Sequence, residues 1–174
     1  MGLLDRLRKA RATAAAPPLS GFEPVHETVP KEYERTMGSW ATRDRKAYHI
    51  LKVGTHDTPA GRTRVVGESF YQDALVALAG PHSQVIRFRT ELAVLQPDLN
   101  NPYDSKAVAV YIGGNHVGHL SRNDAAVLQP ALVAVMERTG KPVACKAEIR
   151  GSDNYGVVLY FDPIGLRVAD SPGA

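Results

Sequence analysis

From Tyr48 onward the chain is divided into short runs in which apolar and polar residues alternate, a pattern typical of strands with one buried face. The first run, at residues 48–53, is followed by a loop rich in Gly, Thr and Pro. Gly-Gly-Asn at 113–115 separates two later runs and predicts a tight hairpin turn. We predict about six short strands after residue 62, namely residues 63–71, 85–95, 107–112, 116–120, 142–150 and 155–161.

Two segments interrupt the alternation and predict helices. In the first, Asp73 is a candidate N-cap, and the Gly-Pro pair at residues 80–81 is a stop signal. The second begins with Ser121 and Asp124, which resemble a capping box, and ends at Gly140. Pro130 lies inside it, so we expect a kink or two short helices there. Short strands with two short helices predict a mainly β fold, a small barrel or curled sheet rather than an α/β sheet.

The residues ahead of the domain divide into an arm and an extension. Residues 1–20 combine leucines at helical spacing with basic residues and an Ala- and Pro-rich linker, which predicts a basic arm or short helix. We expect this segment to be a frayed arm or a helix docked on a protein partner, such as a helicase or nuclease, in preference to contact with DNA or a membrane. Residues 21–63 are an extension that packs on or leads into the domain at 64–163, and residues 164–174 form a C-terminal tail.

Composition is that of a soluble globular protein. Of the 174 residues, 44% are hydrophobic and 22% are charged, and no apolar run approaches the ~18 residues of a membrane span. Asp5 and Arg6 interrupt the N-terminus before a signal-peptide core develops, so we expect a cytoplasmic protein. Residues 1–64 contain 12 Lys and Arg against 7 Asp and Glu, whereas residues 65–174 contain 9 against 11. A nucleic-acid site in the second part therefore depends on a local pocket.

No sequence pattern supports catalysis or a cofactor. The Gly-Gly run lacks the spacing and the Lys of a phosphate-binding loop, and no Gly-x-Ser-x-Gly motif occurs. A single cysteine, Cys145, excludes an internal disulfide or a cysteine metal cluster. His116 and His119 are three residues apart on a predicted strand, so alternation places them on opposite faces and we predict no metal site. We expect a protein that is not an enzyme and binds no cofactor.

The most distinctive polar motif is Asn-Asn-Pro-Tyr-Asp at residues 100–104. Asn and Asp side chains hydrogen-bond to nearby backbone and Pro102 fixes φ, so the turn is set in advance. It delivers Tyr103 and Asp104 to the start of the following strand. Two interpretations are open from these residues alone: a plain turn with Tyr103 lying on the barrel, or part of a binding site.

Three motifs, taken in order, resemble the HIRAN domain. They are Val-Val-Gly-Glu-Ser-Phe-Tyr at 65–71, Asn-Asn-Pro-Tyr-Asp-Ser-Lys-Ala-Val at 100–108 and Val-Gly-His-Leu at 117–120. The resemblance covers about residues 64–163. This domain occurs at the N-terminus of certain helicases and as stand-alone proteins of bacteria. The resemblance implies a small OB-like or SH3-like barrel with two helices and, as in the helicase member, binding of the 3′ end of single-stranded DNA in replication or repair.

The resemblance also implies roles for individual residues. Phe70 and Tyr103 match the aromatic residues that hold the terminal base, and Asp104 matches the acid that accepts a hydrogen bond from the 3′-hydroxyl. The residues that match positions near the terminal phosphates are Asn101, His119 and Arg122, and Tyr71 matches a second aromatic beside the first.

Two details of the first motif affect this assignment. Phe70 and Tyr71 are consecutive on a predicted strand, so we expect Phe70 to meet the ligand and Tyr71 to be partly buried. Ser69 stands where the DNA-binding member has an Arg, which removes a charged hydrogen bond worth ~1.5–3 kcal/mol. The candidates for a compensating cation are Arg64, Arg87 and Arg89.

The competing hypothesis is a protein-interaction module on the same fold. In that case the aromatic pocket takes a peptide, or the N-terminal arm recruits a partner, without DNA-end binding. An enzyme with an unrecognised site ranks last.

Overall fold

The computed structural model describes residues 33–38, 47–52 and 62–162, and strands dominate these ranges. The helical elements among them are a 3₁₀ turn (Glu68–Tyr71), helix α1 (Gln72–Ala79) and helix α2 (Arg122–Thr139). The strands are β1 (Tyr33–Met37), β2 (His49–Ile50), β3 (Arg62–Val66), β4 (Ile86–Pro97), β5 (Val108–Ile112), β6 (Asn115–Leu120), β7 (Val143–Gly151) and β8 (Tyr155–Tyr160).

Six of these strands close into a barrel in which every neighbouring pair is antiparallel. The order around the barrel is β4, β5, β6, β3, β8 and β7, and β7 pairs again with β4. This closing pair is the longest ladder and runs from Arg87 opposite Gly151 to Leu95 opposite Val143. The prediction of a mainly β fold, a small OB-like barrel of about six strands with two helices, is confirmed.

β1 and β2 precede the barrel in sequence and join it as parallel strands. β1 lies beside the first half of β4, with Tyr33 opposite Ile86, where β5 does not reach. β2 lies beside the start of β7, with His49 opposite Val143. The predicted strand at residues 48–53 is therefore reduced to two residues, although the amide of Leu51 still donates to the carbonyl of Ala144 at 2.8 Å.

The hydrophobic core fills the barrel and the space between the barrel and α2. Leu95, Val110 and Ile149 are fully buried from the strands, and Leu132 is fully buried from α2. Leu75 of α1 is fully buried in the same cluster. Since burying one such side chain stabilises the fold by roughly 1.5–3 kcal/mol, this core holds the strand ends in fixed positions.

α2 is one continuous helix, so of the two expectations at Pro130, a kink or two short helices, the second is wrong. Pro130 lies on the exposed side of the helix, while Leu128 and Leu132 beside it are buried. The missing proline amide therefore falls on the solvent side, where water satisfies the free carbonyl and core packing keeps the helix intact. The predicted cap is present: Ser121 Oγ accepts from the amide of Asp124 at 3.2 Å.

Several predicted segments lie outside the described residues. They are the basic arm and linker at residues 1–20, much of the extension at 21–63 including Trp40, and the tail at 164–174. Of the helices that the structure describes, neither is long and apolar enough to cross a membrane.

Candidate nucleic-acid interface

The first motif leaves the barrel wall as a 3₁₀ turn. β3 ends at Val66, Gly67 has a φ of 81°, and the turn follows at once. The predicted strand over residues 63–71 is therefore wrong in its second half, because the left-handed Gly67 redirects the chain. Alternation along a strand cannot set the orientation of these aromatic residues, yet Phe70 is 87% exposed and Tyr71 is half-buried.

After β3 ends, side chains of the following turn and helix form hydrogen bonds with the backbone of β8. Gln72 Nε2 donates to the carbonyls of Tyr155 and Glu68, both at 2.9 Å. Gln72 Oε1 accepts from the amide of Tyr155 at 2.9 Å. Glu68 Oε1 accepts from the amide of Val157 at 3.4 Å. Because Tyr155 and Val157 both belong to β8, the turn that carries Phe70 is fastened to the barrel.

This arrangement also moves the start of α1. The helix begins at Gln72, and Tyr71 occupies the N-cap position without a side-chain capping bond. The predicted N-cap Asp73 instead lies in the first turn, where its negative charge interacts favourably with the helix dipole.

The loop at residues 98–107 holds its shape through its own polar side chains. Asn101 Oδ1 accepts from the amides of Tyr103 at 2.9 Å and Asp104 at 3.0 Å. Asp104 Oδ1 accepts from the amide of Lys106 at 2.8 Å. Tyr103 is 91% exposed, so its ring points to solvent and does not lie on the barrel.

Asp104 meets the N-terminus of α2. Its Oδ2 lies 3.6 Å from Nε of Arg122, whose side chain is 81% exposed while that of Asp104 is 25% exposed. Ser121 satisfies one first-turn amide, and the remaining amides of that turn have no acceptor within the helix. An exposed guanidinium and a helix N-terminus therefore lie beside a partly buried carboxylate.

A bulge in β6 brings two histidines together, so the prediction of opposite faces is wrong. The register between β5 and β6 shifts by one, which leaves Val117 as an extra residue on β6. Gly118 beside it has a φ of 143°. As a result the ring centroids of His116 and His119 are 4.6 Å apart on the same side of the sheet.

His116 is the centre of an aromatic cluster. Its ring centroid lies 4.4 Å from that of Tyr71 and 4.9 Å from that of Tyr111. Its Nε2 lies 3.0 Å from the carbonyl oxygen of Gly118, which can only accept, so Nε2 carries the proton. Burial lowers the pKa of His116, and the neighbouring His119 lowers it further. The neutral ring therefore links the first turn to His119.

Most of the predicted site residues fall into two groups, and the members of each group contact one another. The loop at 98–107 and Arg122 form the first group. Tyr71 and His119 form the second, joined through His116.

The strand register places the turn of Phe70 and the loop of Tyr103 on either side of His119. It pairs with Val66 of β3, which precedes the turn of Phe70, and with Ala109 of β5, which follows the loop of Tyr103. Among the described residues, neither exposed aromatic ring contacts another ring. Both rings are therefore exposed to solvent and are not stacked on a neighbouring ring of the described residues.

Three supporting residues were not predicted, namely Glu68, Gln72 and His116. Glu68 lies within the first motif and His116 directly precedes the third, so motif position was an available signal for both. Gln72 had none, because its partner Tyr155 is 83 residues away.

Neither a metal-binding cluster nor a reactive cysteine occurs among the described residues. Within them no group of three or more His, Cys, Asp or Glu side chains is placed to hold a metal ion. Cys145 is fully buried, and burial raises the pKa of its thiol. A protonated, inaccessible thiol is a core residue and not a nucleophile.

Comparison with known proteins agrees with the motifs. The family model of the HIRAN domain matches residues 60–154. The crystal structure of the HIRAN domain of human HLTF is 27% identical over 63% of this chain and 81% of that chain, with a TM-score of 0.32. No curated protein matches. Since the family model spans more than half of the chain and includes all three motifs, the chain belongs to the HIRAN domain family.

Proposed function

We propose that this protein binds single-stranded DNA and recognises its 3′-hydroxyl end in replication or repair. HIRAN domains are nucleic-acid-binding modules, which makes DNA the ligand class supported by the family. The observation that carries the proposal is the exposure of two aromatic side chains, Phe70 at 87% and Tyr103 at 91%, on turns that hydrogen bonds hold in place.

The two rings suit a terminal base. Stacking of a base on an aromatic side chain contributes ~1–3 kcal/mol and tolerates any base. Gln72 fastens the turn of Phe70, and Asn101 fixes the loop of Tyr103, so little conformational entropy is lost on binding. Such a surface holds a base without reading its identity.

Asp104 supplies selectivity for the strand end. Its Oδ1 is engaged by the amide of Lys106 at 2.8 Å, whereas its Oδ2 lies 3.6 Å from Arg122, beyond hydrogen-bond distance. A 3′-hydroxyl can donate to Oδ2. A 3′-phosphate at the same place would be repelled by the carboxylate charge.

Arg122 and the start of α2 suit the terminal phosphate. An exposed guanidinium beside free first-turn amides is a favourable anion site. Asn101 lies in the same loop as Asp104, and His119 on β6 is three residues before Arg122. Ser69 is exposed but carries no charge, so Arg122 contributes a larger share of the phosphate binding than it would beside an Arg at position 69.

Fluorescence anisotropy at low salt tests the proposal with a labelled oligothymidylate that ends in a 3′-hydroxyl or a 3′-phosphate. We expect tighter binding of the hydroxyl end. Asp104→Asn removes the charge at nearly constant size and should abolish most of the discrimination. Glu137→Gln makes the same chemical change on the last turn of α2, where the side chain is exposed, and should leave both affinities unchanged.

The stacking surface is tested in the same assay. Phe70→Ala and Tyr103→Ala should each weaken binding of both oligonucleotides by ~1–3 kcal/mol. Because both rings are exposed, thermal unfolding should be unchanged within about 0.5 kcal/mol. A large loss of stability in either variant would show a structural role and contradict the assignment.

Two results would contradict end recognition. Equal affinity of the wild-type protein for the two ends would remove the role of Asp104. Binding to neither oligonucleotide, with an intact fold, would favour the protein-interaction module. A helicase or nuclease partner at residues 1–20 stays a prediction, tested by deleting those residues.

A further inference from the structure

One face of the barrel wall next to the interface concentrates positive charge. On β3, Val65 is buried, so Arg64 directly before it and Arg62 two residues earlier point to the opposite, outer face, and both are exposed. Arg62 lies opposite Tyr160 on β8, and Tyr160 lies opposite Lys146 on β7. We call the surface formed by Arg62, Arg64, Lys146 and Tyr160 the basic strip.

Tyr160 organises this strip. Cζ of Arg62 is 5.9 Å and Nζ of Lys146 is 5.1 Å from the centroid of its ring. Its hydroxyl donates to Oε2 of Glu148 at 3.0 Å, and burial followed by the charge of Glu148 raises the pKa of Tyr160. Glu148 itself is only 6% exposed. Arg62 and Lys146 therefore place positive charge around this ring, while the carboxylate of Glu148 beside it is largely covered.

The strip begins where the candidate interface ends. Val65 pairs with Leu120, so Arg64 lies next in register to Ser121, at the N-terminus of α2 and beside Arg122. Within the described part of the chain, Arg64 makes no ion pair. The row of cations thus continues from α2 across the barrel wall.

The spacing and chemistry of this row suit a nucleic-acid backbone. Arg64 and Arg62 are two strand residues apart on one face, about 7 Å, which is comparable with neighbouring phosphates of an extended strand. The ring of Tyr160 already has a cation near it from each neighbouring strand, so a base has little free ring to stack on. Contacts here would therefore be to phosphates and independent of sequence.

We propose that the basic strip binds the phosphates on the 5′ side of the terminal nucleotide, so that the DNA strand crosses β3 toward β8 and β7. This inference rests on the proposed function, because it takes the 3′ end at the interface as its starting point. Because residues 65–174 carry more acidic than basic residues, a longer DNA strand needs a local row of cations of this kind to follow across the domain.

The test uses the salt dependence of affinity for a dinucleotide and a decanucleotide, both with a 3′-hydroxyl. Arg64→Gln/Lys146→Gln removes two charges and keeps most of each side chain. Since each phosphate contact contributes about 0.7 to the slope of log K against log salt, the decanucleotide slope should fall by about 1.4. The dinucleotide slope and the preference for a 3′-hydroxyl over a 3′-phosphate should not change.

The matched control is Arg138→Gln/Lys141→Gln, which removes the same net charge around the C-terminus of α2 and should leave the decanucleotide slope unchanged. An unchanged slope in the strip variant, or an equal fall in the control, would overturn the proposed path. Loss of binding to anionic vesicles by the strip variant, without a change in slope, would also overturn it and assign the strip to a lipid surface. Failure of end recognition is seen separately, as equal binding of the two ends by the wild-type protein.

Discussion

The two turns that present exposed aromatic rings are stabilised in different ways. Gln72 bonds to both backbone groups of Tyr155 and so ties the turn of Phe70 to β8. The loop of Tyr103 is held from within, because Asn101 accepts two amides of the same loop. One ring therefore depends on the barrel for its position, and the other depends on a few neighbouring residues.

Because of this difference, mutations in the two turns should affect the folding stability of the protein and its binding of DNA to different extents. Breaking a hydrogen bond between a turn and the barrel should both lower the free energy of unfolding and displace the aromatic ring that the turn carries. Breaking a bond within a surface loop should disturb the ring and leave the barrel nearly as stable, because water replaces the lost partner.

Gln72→Ala should have the largest effect. It leaves the amide and carbonyl of Tyr155 without their side-chain partner, and Tyr155 is only 2% exposed. Since an unpaired buried polar group costs ~1–3 kcal/mol, we expect the free energy of unfolding to fall by about 2–4 kcal/mol. Urea denaturation followed by circular dichroism measures this change.

Gln72→Glu sharpens the same prediction. The carboxylate can still accept from the amide of Tyr155 but can no longer donate to its carbonyl. Its second oxygen would face the carbonyl oxygens of Tyr155 and Glu68, which repel it, so the loss of stability should be about as large as in Gln72→Ala. Equal stability of all three proteins would show that the turn of Phe70 does not depend on β8.

Asn101→Ala should have a smaller effect on folding. The amides of Tyr103 and Asp104 lose their shared acceptor at the surface, so the free energy of unfolding should fall by about 1 kcal/mol or less. The affinity for a 3′-hydroxyl oligonucleotide should fall further than this, because the loop must be reordered on binding. Asn100→Ala, an exposed neighbour, is the matched control and should change neither measurement.

The smallest expected effect is on the pH dependence of stability, through His116, which links the turn of Phe70 to His119. Burial, then His119, lowers the pKa of His116 below 6.5 in the folded protein. As pH falls, the unfolded chain takes up a proton first, so stability is complete above pH 6.5 and is lost progressively below it. His49, whose pKa is lowered by burial and then by Arg138 and Lys141, acts in the same direction.

His116→Gln tests the contribution of this residue. Urea unfolding at a series of pH values should show a shallower loss of stability on the acid side than in the wild type, with the remaining slope from His49. An identical slope in the two proteins would show that His116 does not contribute.

Local features of the site could be predicted from the sequence, and long-range ones could not. The Asn101 turn and the Ser121 cap depend on residues two or three positions apart, and both are present as predicted. The side-chain bonds of Gln72 join positions 83 residues apart. The bulge at Val117 depends on the partner strand, so strand alternation alone gave the wrong faces for the two histidines.

The fold shows the same division. Alternating runs predicted the six barrel strands, because one face of each strand is buried. The end of the third strand at Val66 was missed, since only the left-handed Gly67 breaks an otherwise strand-like sequence. The intact helix at Pro130 was missed because packing of α2 on the barrel outweighs the loss of one hydrogen bond.

Gly118 has a practical consequence for engineering the interface. A Cβ at this position would lie 2.5 Å from Cγ1 of Val65 and 2.6 Å from the carbonyl oxygen of Val66, and a φ of 143° disfavours any side chain. A substitution would push β3 and β6 apart, although residue 118 has no side chain to contact a ligand. A mutant library designed to change the specificity of this protein should therefore keep position 118 as glycine and vary the exposed positions around it.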